Sequence, residues 1–139
     1  MTGHDAWLIK ALSDLKSAKK LTQNDNETLD TASYHTQQCA EKALKAFLVF
    51  KNQHIPYTHD LQRLLELCTK QDKTFEILLS DALDLLPYAT YSRYPDDRFF
   101  IDEEEVIESI KKATTILNFV KKKIETPTFE FTGEPQSKS

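Results

Sequence analysis

Six apolar residues near the end of the chain, Val106, Ile110, Ala113, Leu117, Val120 and Ile124, recur at alternating steps of four and three. That rhythm places them on one face of a helix turning every ~3.6 residues, and a strand with its period of two cannot align them. The ends carry matching signals. Asp102 followed by Glu105 reads as a capping pair, with Asp in place of the usual Ser or Thr. Acids then crowd the start, and Lys121, Lys122 and Lys123 crowd the end, as the helix dipole favours. Glu108 and Lys112 are spaced for an i,i+4 ion pair. A helix of this kind has to bury its stripe against other elements.

The rest of the chain offers the same kind of partner. A first helix is predicted over about 6–22, capped by Asp5, with Leu8, Ala11, Leu12, Leu15 and Ala18 as its stripe. A long second helix, about 27–53, carries Ala32, Thr36, Ala40, Ala43, Phe47 and Phe50 on one face. Its small residues let another helix approach closely. Pro56 interrupts the chain, and Thr58 is the expected N-cap of a third helix over about 59–69, with Asp60 in its first turn. A fourth helix, about 74–85, is apolar nearly all round, so it is expected to pack on more than one side and to kink or end at Pro87. Only two Gly and five Pro occur in 139 residues, and no strand-like run competes. The expected fold class is therefore all-α, an up-and-down antiparallel bundle of about five helices spanning 5–125. Residues 126–139 turn to Pro, Thr, Ser and Gly and read as a mobile tail, which Phe129 and Phe131 could pin to the surface.

Charge and cysteine usage narrow the function. The net charge of −4 disfavours nonspecific binding to duplex nucleic acid, which needs a basic surface to neutralise phosphates. RNA is accordingly a less favoured partner. Arginine is scarce: Arg63, Arg93 and Arg98 are all there are. Cys39 and Cys68 fall on apolar faces and read as buried free thiols, which suits a reducing cytosol. The first residues show no signal-peptide pattern and no apolar run approaches the ~20 residues that span a bilayer, so a cytoplasmic protein with no membrane partner is expected. There is no Gly-rich phosphate loop. His35 and Cys39 share a face but lack a second ligand pair with zinc-like spacing, so no metal or cofactor is expected.

Three segments can carry chemistry. In the second helix Gln38, Glu41, Lys42 and Lys45 line one side, either as a solvated face with intrahelical ion pairs or as a polar strip at a dimer or ligand groove. In Thr58-His59-Asp60-Leu61, capping accounts for Thr58 and Asp60, whereas His59 either packs at the first turn or serves a site. In the aromatic stretch Tyr88-Ala89-Thr90-Tyr91-Ser92-Arg93-Tyr94-Pro95-Asp96-Asp97, Pro95 biases Tyr94 to an extended conformation. Arg93 there offers a planar fork of donors that suits phosphate, or pairs locally with Asp96 or Asp97.

Together these segments resemble the HEPN family (higher eukaryotes and prokaryotes nucleotide-binding domain). The likeness runs through Tyr34-His35-Thr36-Gln37-Gln38-Cys39-Ala40-Glu41-Lys42-Ala43-Leu44-Lys45-Ala46, then Thr58-His59-Asp60-Leu61, then Arg93-Tyr94-Pro95, and covers about 6–124. The resemblance implies a helical bundle that forms a homodimer and is often found beside a minimal nucleotidyltransferase. Some similar proteins are ribonuclease toxins of toxin–antitoxin pairs, which carry an Arg followed after four to six residues by a His. This chain lacks that motif: all four His precede Arg93, and Arg98 and Phe99 stand five and six residues after it. The resemblance therefore points to a non-catalytic module that binds a nucleotide or partners a nucleotidyltransferase. Its site would draw on Arg93, Tyr94, Asp96, Gln38, Glu41, Lys42, His59 and Asp60. A divergent ribonuclease and a purely structural dimerisation protein are the alternatives.

Overall fold

The computed structural model describes residues 2–24, 28–89 and 101–125, and within them the chain forms five α-helices and no strand. Helix α1 spans Gly3–Asn24, three residues earlier at its start than its stripe predicts. The reason is a reciprocal cap. The Asp5 backbone N–H donates to the Thr2 hydroxyl at 3.1 Å, and the Thr2 N–H donates back to the Asp5 carboxylate at 3.4 Å. Thr2 is thus the N-cap and Asp5 its partner one turn in, not the cap itself. Ala11, Leu15 and Ala18 are buried as expected, whereas Leu12 is exposed.

Helix α2, Leu29–Phe50, is the centre of the bundle. Most of its residues from Leu29 to Leu48 are buried, because α1, α3 (Leu61–Gln71) and α5 (Glu103–Glu125) cover it from different sides. It runs antiparallel to α1. At one end the Thr28 hydroxyl donates to the Leu21 carbonyl, and at the other Gly3 lies so close to Val49 that an added Cβ would stand 3.1 Å from its methyl. Ala32, Ala40, Ala43 and Ala46 are fully buried within the single chain. The helix stops in a Schellman arrangement. Asn52 takes a left-handed φ of 58°, its N–H donates to the Val49 carbonyl, and the Gln53 N–H donates to that of Leu48. Asn is among the few residues that adopt this conformation readily.

Helix α3, Leu61–Gln71, begins later than expected because Asp60, and not Thr58, is its N-cap. The Asp60 carboxylate accepts from the N–H groups of Gln62 and Arg63, while the Thr58 hydroxyl accepts from the Asp60 N–H. The predicted fourth helix is three pieces: a 3-10 segment Lys73–Leu78, a short α4 Leu79–Leu85, and a 3-10 turn Leu86–Ala89 that accommodates Pro87. It is also less enclosed than its composition suggests, since Ile77, Leu79 and Leu83 face outward, Ile77 with 75% of its surface exposed. Asp72 organises this corner. It caps the first 3-10 segment through the Thr74 N–H and hydroxyl, and it pairs with Lys123 of α5 at 2.9 Å. Burial works against the Asp72 carboxylate, but those bonds and the Lys123 charge outweigh it and hold the carboxyl below its usual range.

Helix α5, Glu103–Glu125, follows its prediction closely. Asp102 accepts from the Glu105 N–H at 2.8 Å, and Val106, Ala113, Leu117 and Val120 are buried. Lys112 departs from expectation: it reaches Asp84 on α4 at 3.1 Å, and Glu108 pairs with Lys111 instead. A stack of three rings ties the elements together. Phe75 is fully buried, 4.3 Å from Phe47 of α2 and 4.9 Å from Phe119 of α5 between centroids. Fully burying a ring, as for Phe75 and Phe47, removes a large apolar area from water and contributes about 1.5–3 kcal/mol apiece, whereas Phe119 is only partly buried. Cys39 and Cys68 are free and buried, as expected. Among the described residues no helix is long and apolar enough to cross a membrane.

Candidate functional site

The polar side of α2 is neither a solvated face nor an open strip. Gln37, Gln38, Glu41 and Lys45 are all buried, Glu41 with only 2% of its surface exposed. A buried carboxylate is tolerated when its lone pairs are filled. Here Lys45 donates at 2.8 Å, Gln37 and Gln38 donate at 3.3 Å each, and His59 approaches through Nδ1 at 3.1 Å. Gln38 also donates to the Gln37 side-chain oxygen, and Gln37 donates to the His59 carbonyl at 3.1 Å. The network locks the loop ahead of α3 onto the middle of α2. Lys45 lies 5.5 Å from the Trp7 ring centre, so α1 closes it from the other side.

A second cluster repeats this chemistry one turn away. Asp14 of α1, also buried, accepts from Lys42 at 2.7 Å and meets His35 Nδ1 at 2.8 Å. Each buried carboxylate therefore holds one lysine from α2 and one histidine ring. The two rings differ in access: His35 is largely covered, whereas the His59 side chain is 61% exposed. Beside His59, Tyr57 is 99% exposed, with the ring centres 6.1 Å apart.

This geometry presents an imidazole to solvent in a fixed orientation. Its Nδ1 is tied to Glu41, so Nε2 on the far side of the ring remains to accept or donate a hydrogen bond. Tyr57 adds a flat apolar surface of the kind on which a base stacks. Of the residues singled out from sequence, the structure gathers Gln38, Glu41 and His59 into one network and sends Lys42 to Asp14. Asp60 is occupied in capping α3. Arg93, Tyr94 and Asp96 lie outside the described residues. Sequence reasoning missed Asp14, Gln37 and Tyr57. Asp14 was detectable, because it sits at the apolar register of Ala11, Leu15 and Ala18, where a charge is out of place.

The cysteines take no part. Burial pushes the Cys39 thiol up to about 12, with the nearby Asp14 charge adding to it, and burial raises Cys68 as well. His35 turns to Asp14 rather than toward Cys39, and the described residues contain no group of three or more potential metal ligands.

The fold of the described residues has known counterparts. The HEPN domain family model matches residues 4–123, and the chain belongs to that family. The crystal structure of an archaeal HEPN homologue is 30% identical, covers 90% of this chain and 100% of its own, and superposes with a TM-score of 0.71. The crystal structure of TT1696 from Thermus thermophilus is 27% identical, with 88% of this chain and 99% of that one covered and a TM-score of 0.77. No curated protein matches.

Proposed function

We propose that this chain is a non-catalytic HEPN-type module that acts as a homodimer and either binds a nucleotide or presents its surface to a nucleotidyltransferase partner. The observation that carries the reading is His59, an exposed ring held rigidly by the buried Glu41 and set beside the exposed Tyr57. Fixing a ring before the ligand arrives removes part of the ordering cost of binding. In this reading His59 and Arg93 contact phosphate, and Tyr94 and Tyr57 supply stacking surface. Gln38 and Glu41 act beneath the surface through His59, while Lys42, Asp60 and Asp96 shape the surroundings. Ile9 and Leu12, exposed and one turn apart on α1, give a second copy something apolar to cover. Two buried free thiols fit a reducing, cytoplasmic setting.

Calorimetric titration of the pure protein with nucleoside mono-, di- and triphosphates tests the ligand. Weak, saturable binding is expected, reduced about tenfold or more in His59→Ala and Arg93→Ala, since hydrogen bonds to charged groups contribute roughly 1.5–3 kcal/mol each. Absent binding, or binding unchanged in both variants, removes the nucleotide. Co-purification with a minimal nucleotidyltransferase without any nucleotide effect supports the partner role alone.

One observation favours a second reading. A carboxylate behind Nδ1 is also how a general base is oriented, so His59 is placed to serve a divergent ribonuclease in which it replaces the missing His after Arg93. Incubation with single-stranded RNA separates the two readings. Cleavage lost in His59→Ala supports the ribonuclease, and no cleavage, or cleavage equal in the variant, rejects it.

A further inference from the structure

Two side chains at the start of α3 end in groups that bond to nothing among the described residues. One is the His59 ring. Its Nδ1 stands 3.1 and 3.2 Å from the two oxygens of the Glu41 carboxylate. An ionised carboxylate only accepts, so Nδ1 carries the ring proton and Nε2 of the neutral ring is bare. The other is Arg63, the one arginine among the described residues, whose side chain is exposed and makes no hydrogen bond or ion pair there.

Both groups serve the same stretch of surface. Leu64 donates its N–H to the Asp60 carbonyl at 3.1 Å, so the helical turn is closed from residue 60 onward. A helical side chain leans toward the N-terminus and covers the turn before its own Cα, and for Arg63 that turn opens with His59 and Asp60. The nearby acids leave the guanidinium available. Asp60 turns its carboxylate to the N–H groups of Gln62 and Arg63 at 2.9 and 3.4 Å, Glu66 makes no ion pair, and Glu41 is balanced by Lys45 at 2.8 Å. Charge around the ring is therefore close to balanced and selects no ligand by itself. Unfilled bonding capacity does. The planar fork of Arg63 takes two acceptor oxygens side by side. A carboxylate commits both of its oxygens to that fork, whereas a phosphoryl group offers a third to the ring.

We propose that His59 and Arg63 together form an oxyanion site for a phosphoryl group, and that binding there draws a proton from solvent onto Nε2 of His59. Arg63 donates to two oxygens of the group and the protonated ring donates to another. No bond in the ligand is made or broken. The charged and titratable groups around the ring are Glu41 and Lys45 of α2, Asp60 and Arg63 at the start of α3, and Tyr57 in the preceding loop. Glu41 favours the imidazolium, and the bound anion offsets the opposition of Arg63 and Lys45. This inference deepens the reading of His59 as a contact point and rests on it.

Titration of the full chain with inorganic sulfate, a phosphoryl mimic whose own charge is constant near neutrality, tests the site through the NMR signals of the His59 ring. A saturable shift is expected, with affinity at least about threefold higher at about pH 6 than at about pH 8, since only the protonated ring donates through Nε2. Arg63→Ala should weaken binding about tenfold, as loss of a bond to a charged group does. Arg63→Lys should recover part of that, because it keeps the charge without the fork. Lys70→Ala, which removes an exposed cation further along α3, should change nothing. The absence of a shift, equal affinity at the two pH values, unchanged affinity in Arg63→Ala, or equal losses in Arg63→Ala and Lys70→Ala overturns the inference. A parallel titration with ADP separates it from the nucleotide reading. Sulfate binding without ADP binding leaves the site standing and removes the nucleotide, and ADP binding untouched by Arg63→Ala does the reverse.

Discussion

Replacing Glu41 by Gln changes one oxygen to an amide and almost no volume, yet it strikes the hub of the polar network. The carboxylate meets Lys45, Gln37, Gln38 and His59 from a position 2% exposed. Removing one member of a buried ion pair costs about 3–5 kcal/mol, because the remaining charge is left without compensation. Lys45 is close to the surface, its side chain 10% exposed, and its stem can carry the ammonium part of the way to water. The lower end, about 3 kcal/mol, is therefore expected. For a chain of 139 residues the unfolding entropy is near 0.3 kcal/mol/K, so Tm should fall by about 10 °C. Urea unfolding followed by circular dichroism should show a lower midpoint with an unchanged slope. Adding Lys45→Met removes the stranded charge, and a double-mutant cycle should give a coupling of at least about 1.5 kcal/mol. A cost of Glu41→Gln below about 1 kcal/mol, together with coupling below about 0.5 kcal/mol, would refute the view that this carboxylate organises the network.

Three further outcomes follow from the geometry. Asp60→Ala should destabilise by about 1 kcal/mol and Thr58→Ala by clearly less, since Asp60 is the side chain that satisfies the first N–H groups of α3; equal losses in denaturant melts would contradict that assignment. The folded-state pKa of Asp72 is depressed, so its contribution is complete above the unfolded value of about 3.9 and is lost as pH falls through the folded value. The stability gap between the native chain and Asp72→Asn should thus be largest at neutral pH and shrink below about pH 4, and a gap independent of pH would remove the Lys123 pairing from the account. Cys39 and Cys68 should resist an aromatic disulfide reagent at pH 8 and react promptly in strong urea, whereas rapid native-state labelling would show that the core opens locally at low cost.

Periodicity and end signals were enough to establish a helical bundle, and the segments 34–46, 58–61 and 93–95 carried the resemblance to the family that the family model then bore out. The Asp102–Glu105 pair and the stripe from Val106 to Ile124 are local patterns, and local hydrogen bonds and burial honour them in the folded chain. Element ends were less legible. Thr2, Asp60 and Asp72 became caps because of where their neighbours' N–H groups point, and the fourth helix broke into 3-10 and α pieces around Asp72 and Pro87. The candidate site was legible only in part. Glu41, Gln38 and His59 could be named from sequence, but their meeting depends on a contact across 18 residues of chain between Glu41 and His59.

What the sequence determined by itself is the helical class, the helix order and the absence of a His after Arg93, because each is written in spacing along the chain. What only the tertiary structure decided is which polar residues are buried together. The spacing that puts Gln38, Glu41, Lys42 and Lys45 on one face fits solvent and interior equally well. The choice fell to the interior because α1 brings Trp7 and Asp14 against that face, and the loop before α3 brings His59. Once water is excluded there, each charge has to find a partner, and the requirement leaves one orientation for the histidine that faces outward.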